Sequence, residues 1–141
     1  MKLYHKILIA AIVAISFPAH ANNKSVMCLA KNIYHEARGE PHQGKLAVAQ
    51  VTLNRVNDER FASTICGVVY QPYQFSWTKE RNLKVVDKQA WQESLEIATT
   101  AINSGLDSMA DFNAMYFHST KVKPRWKLRK VAKIGNHVFY K

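Results

Sequence analysis

Acidic residues are scarce in this chain of 141 residues, where ten Asp and Glu stand against twenty Lys and Arg. The formal net charge of +10 points to an anionic partner: nucleic acid, a membrane surface or an anionic wall polymer. Long apolar runs are also missing. The most apolar stretch, Ile7 to Phe17, falls well short of the ~20 residues that a membrane-spanning helix needs. No internal repeat, low-complexity tract or Gly/Ser linker interrupts the sequence after residue 21, which leaves no boundary for a second module. Cysteine is limited to Cys28 and Cys66.

The features at the start of the chain fit a secretory signal peptide. Lys2 and Lys6 form a positive segment, the apolar run follows and ends at Pro18, and Ala19-His20-Ala21 offers small residues at the two positions a signal peptidase reads. The expectation is a signal peptide over 1–21 and a single catalytic domain over 22–141, with no transmembrane anchor after cleavage. That mature chain carries 18 Lys and Arg against 10 Asp and Glu. Export, to the periplasm or beyond it to the cell envelope, sets nucleic acid aside and favours envelope polymers. In an oxidising compartment two cysteines point to one disulfide, Cys28–Cys66, the alternative being two buried thiols.

Apolar periodicity predicts three long helices. Ser25 is placed to cap the first, with Val26, Leu29, Ile33 and Ala37 on one stripe and Gly39 and Pro41 ending it. Pro41 opens the second, which runs to about Asn57 and is apolar or small nearly all round between Ala47 and Val51. A short helix is expected from Ser63 to Tyr70, and a strand or extended loop over Gln74-Phe75-Ser76-Trp77. Asp87 caps the third long helix, Trp91, Leu95, Ala98 and Ile102 form its stripe, and Gly105 follows its end. Ala114 to His118 reads as a strand, and Gly135-Asn136 sits between two alternating runs as the turn of a hairpin. The class is α+β, with about three long helices and a small antiparallel sheet.

The densest chemistry lies in Tyr34-His35-Glu36-Ala37-Arg38-Gly39-Glu40. Glu36 falls in the last turn of a helix before a Gly-Pro break, among apolar neighbours that raise a carboxyl pKa and keep its proton available for a leaving group. An exposed Glu paired with Arg38 is the plain alternative. Glu40 is expected to cap a helix or pair with a base. A zinc-protease motif needs a second His four positions after His35, but residue 39 is Gly and His42 lies beyond Pro41, so no metal and no cofactor are expected. The second half is rich in aromatic and amide groups, which suit the apolar faces and hydroxyl rim of a sugar. Trp91 reads as core, whereas Trp77 and Trp126 fit groove or core equally; Trp126 is counted among the groove candidates.

Several segments together resemble the SleB-type cell-wall hydrolases, the catalytic domain of spore-cortex-lytic enzymes. They are Ile33 to Pro41, Gly44 to Val51, Leu53-Asn54-Arg55-Val56, Ile65 to Gln71, Gln74-Phe75-Ser76, Met115 to His118 and Ile134 to Tyr140. The resemblance implies a lysozyme-like α+β fold that cleaves the MurNAc–GlcNAc β-1,4 bond of peptidoglycan glycan strands. It implies Glu36 as the catalytic glutamate and Tyr34, Gln74, Phe75, Tyr116, His118 and His137 along the substrate groove. Ordinary glycosidases use two carboxylates, about 5–5.5 Å apart for retention or about 6.5–9.5 Å for inversion. Only Glu36 has a persuasive setting here, which favours a lytic transglycosylase acting as a monomer, ahead of a hydrolytic muramidase using Glu40 or Asp111 or a non-catalytic basic wall-binding protein.

Overall fold

The computed structural model describes residues 19–141. Most of the expected signal peptide therefore lies outside the described residues, and its boundary after Ala21 falls within helical backbone. Helix α1 (Ala19–Ala37) is longer than its stripe predicts, so Ser25 is an interior residue and not its cap. Helix α2 (His42–Val56) follows, then a short α3 (Ile65–Val69), α4 (Lys88–Asn103), and strands β1 (Tyr116–Ser119), β2 (Lys130–Ile134) and β3 (His137–Tyr140). The class is α+β, as the periodicity implies.

The apolar positions of α1, α2 and α4 meet in one core containing Leu29, Ile33, Ala47, Val48, Val51 and Ala98. The run of small residues in α2 makes it the most enclosed of the helices, buried from Gly44 to Ala49. Asp87 caps α4 by accepting from the Ala90 amide at 2.9 Å, and Gly105 after its end takes φ +78, a conformation open to glycine. Cys28 of α1 and Cys66 of α3 are bonded, with their Cα atoms 5.3 Å apart. This tie holds a five-residue helix that is too short to persist alone.

The sheet order is β1-β3-β2, antiparallel throughout, so the strand latest in the chain is the central one. Alternation divides its side chains between two faces. Phe117, His137 and Phe139 turn toward the helices, where Phe139 packs on Phe112 with ring centres 5.3 Å apart. Tyr116, His118 and Tyr140 turn the other way and meet Trp126. The β2–β3 turn is held from outside the sheet: the carboxylate of Glu40 accepts from the Asn136 amide at 2.7 Å. A Cβ on Gly135 would collide with that carboxylate and with Pro41, so the turn needs glycine for closeness as well as for its φ of +55.

Among the described residues no helix is long and apolar enough to cross a membrane.

Candidate active site

Glu36 leaves α1 one residue before the helix ends, beside the C-terminal half of α2. Burial pushes its carboxyl up to about 7, opposed by the positive charge of Arg55. Arg55 is itself buried. Its Nε donates to the Met115 carbonyl at 2.8 Å, and its guanidinium lies over Phe61, Phe75 and Tyr116 at 5.1, 5.5 and 5.7 Å from the ring centres. Burial lowers its pKa to about 10, while Tyr116 and Glu36 act in the opposite direction. The Arg55 cation is therefore held over an aromatic wall, within electrostatic reach of the Glu36 carboxyl. Arg55 was not among the sequence candidates, although it stands inside one of the segments that carry the family resemblance.

Beyond Arg55 opens a cleft of about 350 Å³ lined by Arg55, Tyr73, Gln74, Tyr116, Trp126 and Leu128, with Phe117 at its side. Three sequence candidates, Gln74, Tyr116 and Trp126, are thus brought together. Tyr73 stands 87% exposed at the rim with φ +66, a costly conformation for a tyrosine. Lys79 lies over its ring at 4.9 Å. The loop carrying these residues is not a strand. Ser76–Lys79 forms a 3-10 turn, because Trp77 reaches into the helix layer and donates from Nε1 to Asn32 at 3.1 Å. Asn32 in turn donates to Thr52, and the Trp77 ring stacks on His35 with centres 4.7 Å apart.

The other candidates lie elsewhere. Tyr34 does not line the groove: it is fully buried, packs edge-on against Trp91, and its hydroxyl accepts from the Val86 and Asp87 amides at 3.0 Å each. It holds the entry to α4, so its role is in the frame. Phe75 is buried beneath Arg55 and against Phe117, a floor residue without an open face. His137 is buried on the helix-facing side of the sheet, and that burial lowers its pKa. Its Nδ1 has no hydrogen-bond partner. His118 is on the outer face, with Nδ1 2.8 Å from the Ser119 carbonyl and Nε2 2.9 Å from the Tyr140 hydroxyl. A carbonyl only accepts, so Nδ1 carries a proton.

Neither alternative carboxylate is free beside Glu36. Glu40 is engaged at the β2–β3 turn, not as a helix cap; Pro41 occupies the cap position of α2. Asp111 is exposed in a different cleft, with Asn57, Asp58 and Asn113. Among the described residues no three His, Cys, Asp or Glu side chains come together as a metal-binding group.

Arg55→Met is expected to move the Glu36 pKa further up, since the one named charge that lowers it is removed. The alkaline limb of the activity–pH profile should then shift to higher pH, with lower activity throughout. An unmoved limb would show that the two groups do not interact.

A family model described as cell wall hydrolase matches residues 39–140. The chain belongs to the cell wall hydrolase family. Two solved structures share its fold. The catalytic domain of the germination-specific lytic transglycosylase SleB from Bacillus anthracis is 30% identical with a TM-score of 0.69, covering 89% of this chain and all of that one. The catalytic domain of the Bacillus cereus SleB protein is 27% identical with a TM-score of 0.68, covering 93% of this chain and all of that one. The spore cortex-lytic enzymes of Oceanobacillus iheyensis and Bacillus subtilis are 30% and 31% identical over 91% and 90% of this chain. This chain spans only 45% and 41% of the length of those two relatives. The family match begins three residues after Glu36, so the case for that residue rests on its burial, its helix end and its cation.

Proposed function

We propose that this enzyme is an exported peptidoglycan lytic transglycosylase, cutting the MurNAc–GlcNAc β-1,4 bond with Glu36 as acid and then base. The observation that carries the reading is a glutamate raised to about 7 by burial, with a cation and not a second carboxylate acting on it. A carboxyl of that pKa is divided between its two forms near neutrality, as a group that must give and then regain a proton requires. Protonated Glu36 donates to the glycosidic oxygen as the bond to the MurNAc anomeric carbon breaks. The resulting carboxylate, steadied by Arg55, takes the proton of the MurNAc C6 hydroxyl while that oxygen closes on the same carbon. The products are a 1,6-anhydro-MurNAc end and a GlcNAc with a free 4-hydroxyl, and Glu36 is again protonated without water.

Gln74, Tyr116 and Trp126 offer an amide and two aromatic surfaces to the glycan in the cleft, and His118 backs them through Tyr140. The Cys28–Cys66 bond suits an oxidising compartment such as the periplasm. The lytic transglycosylase named among the structural relatives supports the same chemistry. A hydrolytic muramidase is not favoured, because Glu40 is held at the β2–β3 turn and Asp111 lies exposed in a different cleft.

Mass spectrometry of the fragments released from purified sacculi tests the reaction type. Anhydro-muramic ends are expected. Reducing ends, heavier by one water, would mean hydrolysis.

A further inference from the structure

All ten acidic residues lie at or before Asp111, whereas eight of the twenty Lys and Arg follow it. Five of these alternate along the connection between β1 and β2: Lys121, Lys123, Arg125, Lys127 and Arg129. All five are exposed. Among the described residues none has an ion-pair partner, the pairs present being His42–Glu93, Lys45–Glu93 and Arg60–Asp58. A run of unpaired like charges repels itself, so holding it in one place costs stability unless something anchors it.

The segment is anchored at both ends and at its middle. Val122 donates its amide to Ser119 at 2.9 Å, and Arg129 exchanges backbone hydrogen bonds with Lys141 at 3.2 and 2.9 Å, which fixes both ends. Between them Trp126 is held edge-on by Tyr116, His118 and Tyr140, and Trp126 and Leu128 form part of the cleft wall. In an extended chain successive side chains point to opposite sides. With Trp126 and Leu128 turned to the cleft, the odd-numbered cations are carried along its outer rim.

We infer that this segment is a cationic rail that binds the carboxylates of the peptide stems attached to the glycan strand lying in the cleft. The inference rests on the proposed wall-cutting function and adds its substrate class: glycan still bearing its anionic peptides. A glycan backbone of amino sugars gives a cation little to pair with, whereas each stem hangs carboxylates beside the strand, where the rail runs. An anionic lipid surface is the competing occupant. It fits less well, because Trp126, although 44% exposed, is packed edge-on against three rings and lines the cleft.

The test uses the full protein carrying Glu36→Gln, so that sacculi stay intact while binding is measured by co-sedimentation. Native sacculi are compared with sacculi whose carboxylates have been amidated with carbodiimide and ethanolamine, which leaves the glycan unchanged. Two or three exposed pairs correspond to about tenfold in affinity, so binding should weaken about tenfold on amidated sacculi. A variant with Lys121, Lys123, Arg125, Lys127 and Arg129 all changed to Gln should bind both preparations alike, at the weaker level. Equal binding of the unaltered rail to both preparations overturns the inference, as does a rail variant that still discriminates. Tighter binding to phosphatidylglycerol vesicles than to native sacculi also overturns it, and assigns the rail to lipid. Fragment release by protein with Glu36 intact is read separately. Its absence despite carboxylate-dependent binding would sink the wall-cutting reading and leave the rail standing.

Discussion

Glu36→Gln is expected to lower fragment release from purified sacculi about a thousandfold, the range for loss of a general acid–base group, and at the same time to stabilise the fold. The two effects have one cause. In the unfolded chain the carboxyl titrates near its ordinary value of 4.5, and in the folded protein near 7. Between these values the folded state keeps a proton that the unfolded state has released, so stability falls as pH rises through the interval. Above about pH 7 the accumulated penalty is about 3 kcal/mol, and glutamine does not incur it. Urea unfolding of the two proteins at pH 4 and pH 8 checks this: similar midpoints at the lower pH, and a higher one for the glutamine variant at pH 8. Wild-type activity should likewise decline as pH passes about 7 and Glu36 loses the proton it donates. Unchanged fragment release by the variant would remove Glu36 from the mechanism altogether.

The second large effect concerns the covalent tie between α1 and α3. Its 38-residue separation corresponds to about 4 kcal/mol in the loop-entropy picture. Replacing Cys28 and Cys66 together by Ser should lower the urea midpoint correspondingly, with a steeper slope because the uncrosslinked denatured chain is less compact. Val68 and Val69 of α3 are fully buried, so the loss should appear as global destabilisation and not as a loosened edge. Activity at low temperature should survive, because Cys28 lies eight residues before Glu36 on the same helix. Equal midpoints for the oxidised protein and the double variant would refute the stabilising role.

Where local chemistry decides a structure, the sequence was a sufficient guide. Asp87 and Gly105 bracket α4 because a side-chain cap and a left-handed glycine act within a few residues. The hairpin at Gly135-Asn136 is readable for the same reason. The start of α1 was misjudged, since a Ser that suits a cap also sits without penalty inside a helix when chain before it continues the turn. Gln74 to Trp77 alternates like a strand, yet the Trp77–Asn32 hydrogen bond, 45 residues apart in sequence, bends it into a 3-10 turn.

The site shows the same division. The helix-end setting of Glu36 was visible in Gly39 and Pro41. The family resemblance implies Tyr34 as a groove residue, but neighbouring residues of a helix point in different directions, and this one turns to the entry of α4. Arg55 carries no local signal, because an isolated Arg in a helix reads as a solvated charge. What makes it buried is the arrival of Phe61, Phe75 and Tyr116 from three separate segments, which no local window contains.

The order of the sheet carries a consequence in time. β3 follows every other element of the site in the chain, yet it is the middle strand, and its turn is the one Glu40 grips beside the end of α1. A ribosome makes Glu36 about a hundred residues before β3. Until β3 emerges, β1 has no partner strand, Tyr140 cannot reach His118, and Trp126 lacks one of its three rings. A chain that stops short of β3 therefore holds Glu36 without the completed aromatic wall around Trp126.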